Sequence, residues 1–271
     1  MSMRIFGRLL LAAIGATFFL SAPAHAQFDR LLDTLGDKAV DAITQQSEAQ
    51  PASDAPQTKR PRLTLNQGFD FTPGTHVVTA IDFADAAVGA MPPAWKTNGS
   101  GQIVASPDLP GKWLALQAFA TYKLATPPTL ADRFTVEFDI VPVGDTLRDV
   151  GGVTFGFAAD NSVQSYMQDA YNDGAINAVE LNFAGDSSVA SSATGISHFF
   201  KPALDGYINR PMHVSMAVDG DRMRVYIGRE KIADAQLFDG NRARYLFISA
   251  PVRYDHGAQA LIGNLRIATF E

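Results

Sequence analysis

Glu137 and Asp139 stand two residues apart in the run Arg-Phe-Thr-Val-Glu-Phe-Asp-Ile-Val of residues 133–141. Alternate side chains of a strand share a face, so this spacing sets two carboxyl groups side by side. Paired carboxyls are the chemistry of glycosidic-bond cleavage, which with retention needs them about 5–5.5 Å apart, one ionised and one kept protonated by its surroundings. Glu180, in the alternating run of residues 178–183, is an acid on a second strand that could complete such a pair with Glu137. The competing reading is an ordinary solvated sheet face, on which alternating acids carry no chemistry.

A second chemistry is stacking. Tyr166, Tyr171, Phe199, Phe200 and Tyr207, with His198 among them, fall in two segments rich in Asp, Asn, Ser and Gly, residues 160–174 and 185–207. Aromatic faces flanked by amides and carboxylates can hold a sugar ring, which makes Tyr166, Tyr171, His198 and Tyr207 the candidate ligand-binding residues. The same rings could instead pin the loops to a core, and Phe199-Phe200 reads as core. Oxygen-rich loops also suit a hard cation, and Asp160, Asn161, Asp169, Asp173 and Asp186 are available, though not in the spacing of an EF-hand. Turn and capping roles account for such acids equally. His76, His198, His213 and His256 have no ligand-type spacing to one another, which argues against zinc. No Gly-x-Ser-x-Gly elbow supports a serine hydrolase.

The period of the chain from residue 69 onward names the scaffold that must position these groups. Short alternating runs recur over residues 76–83, 112–118, 133–143, 152–159, 175–183, 211–228, 244–251 and 259–270, between clusters of Gly, Pro, Asn and Asp. No helical pattern falls between them, which disfavours parallel βαβ units and predicts an antiparallel sandwich or barrel. Residues 133–141 send Phe134, Val136, Phe138 and Ile140 to one face and Thr135, Glu137 and Asp139 to the other. Residues 178–183 likewise set Val179, Leu181 and Phe183 against Glu180 and Asn182. Residues 211–228 predict a hairpin turning at Asp219-Gly220, with Met216 opposite Met223, Val214 opposite Val225, and His213 opposite Tyr226 on the wet face. Residues 160–174 and 185–207 read as long loops, where a binding site is expected.

A chain of 271 residues accommodates one sandwich of about 200 to 250 residues without a second domain. Arg4 and Arg8 ahead of the apolar run 9–20, followed by Ala24-His25-Ala26, mark residues 1–26 as an export signal. That run is shorter than the roughly 20 residues a membrane span needs, and no later stretch approaches it. The chain contains no Cys, so the core alone must hold the fold and no lipid anchor can form on that residue. Losing residues 1–26 carries the formal charge from -6 to -8, which argues against nucleic acid and anionic lipid as partners. Phe28, Leu31, Leu32, Leu35, Ala39 and Ile43 sit near helical spacing and predict a short amphipathic helix within residues 27–48. Such a helix could dock on a membrane surface or an envelope protein. Residues 49–66, with Pro51, Pro56 and Pro61, read as a linker, leaving residues 67–271 as the β-sandwich domain.

The runs FTPGTHVVTAIDFADAAVGAMPPAW (71–95), GKWLAL (111–116), RFTVEFDIVP (133–142), HVSMAVDGDRMRVYIG (213–228) and LIGNLRIA (261–268) resemble the concanavalin A-like lectin/glucanase superfamily. More narrowly, they are similar to the laminin-G-like domain that precedes OmpA-type domains in some bacterial envelope proteins. The resemblance implies an all-β fold, a two-sheet antiparallel jelly-roll sandwich, here with a short N-terminal helix ahead of it. It also implies a structural calcium ion, for which Asp82 and Asp85 fill the acidic spot near the first strand. Residues 1–271 include no OmpA-type module, so the resemblance is not expected to carry wall anchoring over. Laminarinase-type glycosidases of the superfamily carry Glu-x-Asp-x-(x)-Glu along one strand. Glu137 and Asp139 match the first two places, but Val141 and Pro142 stand where the final acid belongs. The expectation is an exported, non-catalytic envelope protein, periplasmic or extracellular, that binds a glycan or another protein. The alternatives are a glycoside hydrolase using Glu137 and Glu180, and a structural module docked through residues 28–43.

Overall fold

The structure, a computed structural model, describes residues 69–172, 174–241 and 243–270. The expected signal, helix and linker of residues 1–26, 27–48 and 49–66, and the candidate ligand Asp173, lie outside the described residues.

Two antiparallel sheets make up the described fold. In chain order the strands are β1 His76–Ile81, β2 Trp95–Thr97, β3 Gly101–Ser106, β4 Leu109–Leu116, β5 Thr121–Leu124, β6 Arg133–Val143, β7 Gly152–Ala158 and β8 Ala175–Asn182. They continue with β9 Ser187–Ser191, β10 Ser197–Phe200, β11 Met212–Asp219, β12 Arg222–Ile227, β13 Glu230–Gln236, β14 Tyr245–Ser249 and β15 Gln259–Thr269. The eight-stranded sheet runs β13-β12-β11-β6-β15-β4-β3, with β1 also on β15. β4 meets Leu261 and Ile262 of β15, and β1 meets Leu265 to Thr269, so the two share one side of that long strand. The seven-stranded sheet runs β10-β9-β8-β7-β14-β5-β2. A single helical turn, α1 Leu147–Val150, carries the chain from β6 in one sheet to β7 in the other. This is the two-sheet antiparallel jelly-roll sandwich that the resemblance implies.

The core lies between the sheets. Phe134, Val136, Phe138 and Ile140 of β6 are buried there, as are Val153, Phe155 and Phe157 of β7. Phe138 meets Phe155 edge to face at 5.3 Å between ring centroids, and Phe134 meets Phe157 at 5.5 Å. Phe238, from the segment after β13, adds a third ring at 5.6 Å from Phe157.

Two expectations are corrected. The hairpin turns at Gly220-Asp221, one residue later than predicted, so Met216 faces Val225, Val214 faces Ile227 and Ser215 faces Tyr226. Glycine at the first central position, with φ of 60°, is the arrangement of a type II′ turn, whereas the expected turn placed it second. The Gly220 amide donates to the Asp132 carbonyl and the Arg244 guanidinium donates to the Gly220 carbonyl, which holds the turn in this register. The slip moves each pairing by two residues, so every side chain keeps its face, and Met212, Val214, Met216, Met223, Val225 and Ile227 are core as predicted.

Residues 185–207 are not one long loop, because they contain β9 and β10. Ser-Ser-Val-Ala-Ser lacks the bulky apolar alternation of the other strands. It nonetheless pairs because Ser187 and Ser191 are buried and bonded, Ser187 accepting from the Asn182 amide and Ser191 donating to the Leu237 carbonyl.

With no disulfide to assist, the interlocked rings carry the sandwich. Phe138→Ala is expected to lower the unfolding free energy by about 3–5 kcal/mol, read as a reduced denaturation midpoint at unchanged m-value.

Candidate functional site

The fold places its polar groups on two separate outer faces. On the eight-stranded sheet, Glu137 and Asp139 project outward from β6 beside His213 of β11. His213 Nδ1 lies 2.7 Å from Asp139 Oδ1, and its Nε2 lies 3.7 Å from Glu137 Oε2. Arg266 Nη1 donates to Glu137 at 2.8 Å, and Asn264 Nδ2 donates to the second oxygen of Asp139 at 2.7 Å. His213, then Arg266, hold the Glu137 carboxyl below the usual carboxylate range against the opposing effect of burial. Asp139 and Glu137 together push the His213 imidazole up to about 9. An ionised carboxylate held by two cations has no proton to give, so Glu137 is not a general acid.

The same face is covered further along. Tyr226 is fully buried, with Phe69 and Phe71 each 5.6 Å from it, and its hydroxyl donates to Asp70 at 2.7 Å. Tyr226 and Lys231 draw the Asp70 carboxyl down to about 2. The predicted wet partner of His213 is therefore neither opposite it nor wet.

Glu180 belongs to β8 in the other sheet and points away from the core that Val179 and Leu181 enter. Glu137 and Glu180 thus stand on opposite outer faces of a two-sheet sandwich, whose sheets pack about 10 Å apart, and cannot flank one glycosidic bond.

The outer face of the seven-stranded sheet holds a straight row across six strands. Register places Thr121 beside Ser249, Ser249 beside Thr154, Thr154 beside Glu180, Glu180 beside Ser188 and Ser188 beside Phe199. Five steps of about 4.8 Å make this row roughly 24 Å long. Residues 160–172 lie over one part of the face, seating Met167 and Ala170 against Ala178, Ala190 and Phe247. The Met167 amide donates to Thr121 Oγ1 at 2.9 Å, and Thr121, Ser249 and Thr154 are buried. Glu180 and Ser188 remain partly open, and Phe199 is 67% exposed. Gly152 clears room for the carboxylate, since a Cβ there would stand 3.0 Å from Glu180 Oε1. Burial, then the neighbouring Asp169 charge, raises the Glu180 carboxyl above its ordinary range.

Two of the four candidate ligand residues belong to this face. Tyr171 is 66% exposed on the covering loop. Tyr166 donates its hydroxyl to the Ala250 carbonyl at 2.6 Å, so it pins the loop as well as presenting a ring. That ring packs 4.4 Å from Phe119, which is 58% exposed and which the sequence pattern did not single out. A φ of 57° at Phe119 turns it outward from a tight corner, and no motif marks such a position. His198 is exposed on the edge strand β10, with the register of the core-facing Val189. Tyr207 packs against the main core near Gly228 of the opposite sheet, away from the other three. Phe199 and Phe200 divide, with Phe200 against the core and Phe199 in solvent.

The oxygen-rich turns form no cation cage. Among the described residues no group of three or more His, Asp or Glu side chains converges as metal ligands would. Asp82 caps its own turn, accepting from the Ala84 amide at 3.0 Å, and both Asp82 and Asp85 are exposed. The carbonyls of Ala84 and Ala86 are each met at 2.7 Å by the Lys112 ammonium. Across the sandwich Lys123, wholly buried, donates to the Asp160 carbonyl at 2.8 Å. No helix among the described residues is long and apolar enough to cross a membrane.

No family model matches the chain, and no curated protein sequence matches it. Solved structures do. The carbohydrate recognition domain of Emp47p superposes with a TM-score of 0.52 at 14% identity, covering 74% of this chain and all of that one. The exoplasmic/lumenal domain of VIP36, in its Ca2+/Man3GlcNAc-bound form, gives 0.52 at 12% identity, covering 73% of this chain and 91% of that one. A sialidase gives 0.49 at 13% identity, and there this chain spans only 19% of the other's length. The Emp47p and VIP36 likenesses show the fold, a jelly-roll sandwich. The narrower laminin-G-like resemblance rests on the sequence motifs.

The His213 cluster makes stability depend on pH. A histidine raised from about 6.5 to about 9 contributes stability that is fully present below the lower value and lost as pH rises through the higher. The melting temperature is expected to fall between pH 7 and pH 10, and His213→Gln to flatten that part of the profile, with the imidazole titration followed by NMR.

Proposed function

We propose that this protein is an exported, non-catalytic carbohydrate-binding module. Its shallow site is the outer face of the seven-stranded sheet beside residues 160–172. The observation that carries this reading is the row from Glu180 through Ser188 to Phe199, with Tyr171 exposed on the adjoining loop. Exposed rings offer stacking plates to the apolar faces of sugars, while the carboxylate and hydroxyls of the row can bond their hydroxyl groups. Glu180 beside Asp169 disfavours an acidic glycan, so the ligand is a neutral, extended saccharide. The shared architecture with the Emp47p carbohydrate recognition domain and the VIP36 domain solved with Man3GlcNAc supports this reading. The separation of Glu137 from Glu180, on opposite outer faces, supports a binding role over hydrolysis. The charged leader, apolar run and Ala24-His25-Ala26 of residues 1–26 support export to a periplasmic or extracellular location.

A glycan array on the purified protein is expected to select neutral oligosaccharides. Phe199→Ala and Glu180→Gln should each weaken that binding by about tenfold or more at unchanged melting temperature, measured by calorimetry. Wild-type affinity in both variants would remove the site. Release of reducing sugar that Glu137→Gln abolishes would remove the non-catalytic reading.

A further inference from the structure

The covering loop is gripped by one strand. β5 bonds residues 160–172 at three of its four residues: Thr121 Oγ1 accepts from the Met167 amide, Lys123 Nζ donates to the Asp160 carbonyl, and the Leu124 carbonyl accepts from Asn161 Nδ2. The middle contact is unusual, because the Lys123 side chain is 0% exposed. Its ammonium also lies 3.6 Å from Asp160 Oδ1, and that oxygen accepts from the Ser162 amide at 2.7 Å. Asn161 Oδ1 is buried close by in sequence with no hydrogen-bond partner. A main-chain carbonyl, a carboxylate and a side-chain amide oxygen are the donor types that hold calcium. Here an ammonium already takes the carbonyl and lies against the carboxylate, and a divalent cation beside it would face a like charge. The residues present do not fit calcium. At the turn of Asp82 and Asp85 the partly exposed Lys112 ammonium likewise lies 2.7 Å from two carbonyls, though among the described residues no carboxylate joins it.

We propose that Lys123 is a built-in cation, a positioning residue whose buried ammonium fixes the loop of residues 160–172 beside the glycan row and makes the site independent of calcium. The role in glycan binding rests on the function proposed above; the hold on the loop does not. Removing the ammonium strands the Asp160 carbonyl, so the first turn of the loop loses its anchor while the Phe138 and Phe155 core is untouched.

Two measurements test this. In Lys123→Met, backbone amides of residues 160–172 should exchange with deuterium roughly tenfold faster, while those of β6 and β11 keep their wild-type rates. Loop exchange at the wild-type rate would overturn the proposal. The wild-type protein supplies the second measurement should the variant not fold. Its melting temperature and loop exchange should be the same in excess calcium chloride and in excess chelator, and a calcium-dependent rise in either protection or melting temperature would overturn it. Both readouts are independent of any sugar, so a blank glycan array would defeat the proposed function and leave the built-in cation standing.

Discussion

The edge-to-face contact of Phe138 with Phe155, repeated by Phe134 with Phe157, decides what the rest of the chain can present. β6 and β7 are consecutive in sequence, internal to opposite sheets, and joined through little more than α1. Once their rings interlock, the period of two leaves no choice on the far sides. Thr135, Glu137 and Asp139 must leave one sheet outward, and Gly152 and Thr154 must leave the other. The separation of Glu137 from Glu180 follows from this packing and would persist whatever the protonation of either acid.

The two outer faces then meet opposite fates. On the eight-stranded sheet the charges answer one another, with Glu137 on Arg266, Asp139 on His213 and Asn264, and Asp70 on Tyr226 and Lys231. Charges so matched have little left to offer a ligand, Phe69 and Phe71 cover Tyr226, and what remains is an apolar hollow of about 450 Å³ around Leu109, Trp113, Val141 and Leu261. The seven-stranded face is built from small residues, Gly152, Gly156, Ala178, Ser188 and Ala190, and has low relief. A flat, small-residue surface can accept a covering segment, and Met167 and Ala170 seat on part of it. What stays open is a strip with an acid, hydroxyls and a ring, bounded by a loop.

Much of the scaffold was legible in the sequence because alternation reports which way a side chain points. The strands of residues 133–143, 152–159 and 175–183, the core face of the hairpin, and an antiparallel sandwich or barrel all follow from that signal, while the jelly-roll class came from the resemblance. It fails where burial is polar: in Ser187 to Ser191 two of the three inward residues are serines held by hydrogen bonds, and Val189 alone makes no apolar period. It also cannot fix a register to within two residues, because a slip of two preserves every face, which is how the turn moved to Gly220-Asp221. Of the candidate site, Tyr166, Tyr171 and Glu180 were visible as residue types. Phe119 was not, since its exposure comes from a left-handed backbone at one corner.

Lys123 shows the limit most sharply. In the run Thr-Tyr-Lys-Leu it alternates outward, and an outward lysine on a strand reads as solvated surface. Lys123 does point outward, yet it is buried, because a segment 37 residues further on lies over it. Alternation states which side of a sheet a residue is on and is silent about what covers that side. Burying the ammonium costs solvation, which lowers its pKa, and the Asp160 carbonyl and carboxylate offset part of that cost. A charge in that position is satisfied only when residue 160 is in place, so one arrangement of the loop is selected over others that would leave the charge dry and unpaired. The element that shapes the open strip beside Glu180 is therefore held from beneath, by a residue no ligand would touch.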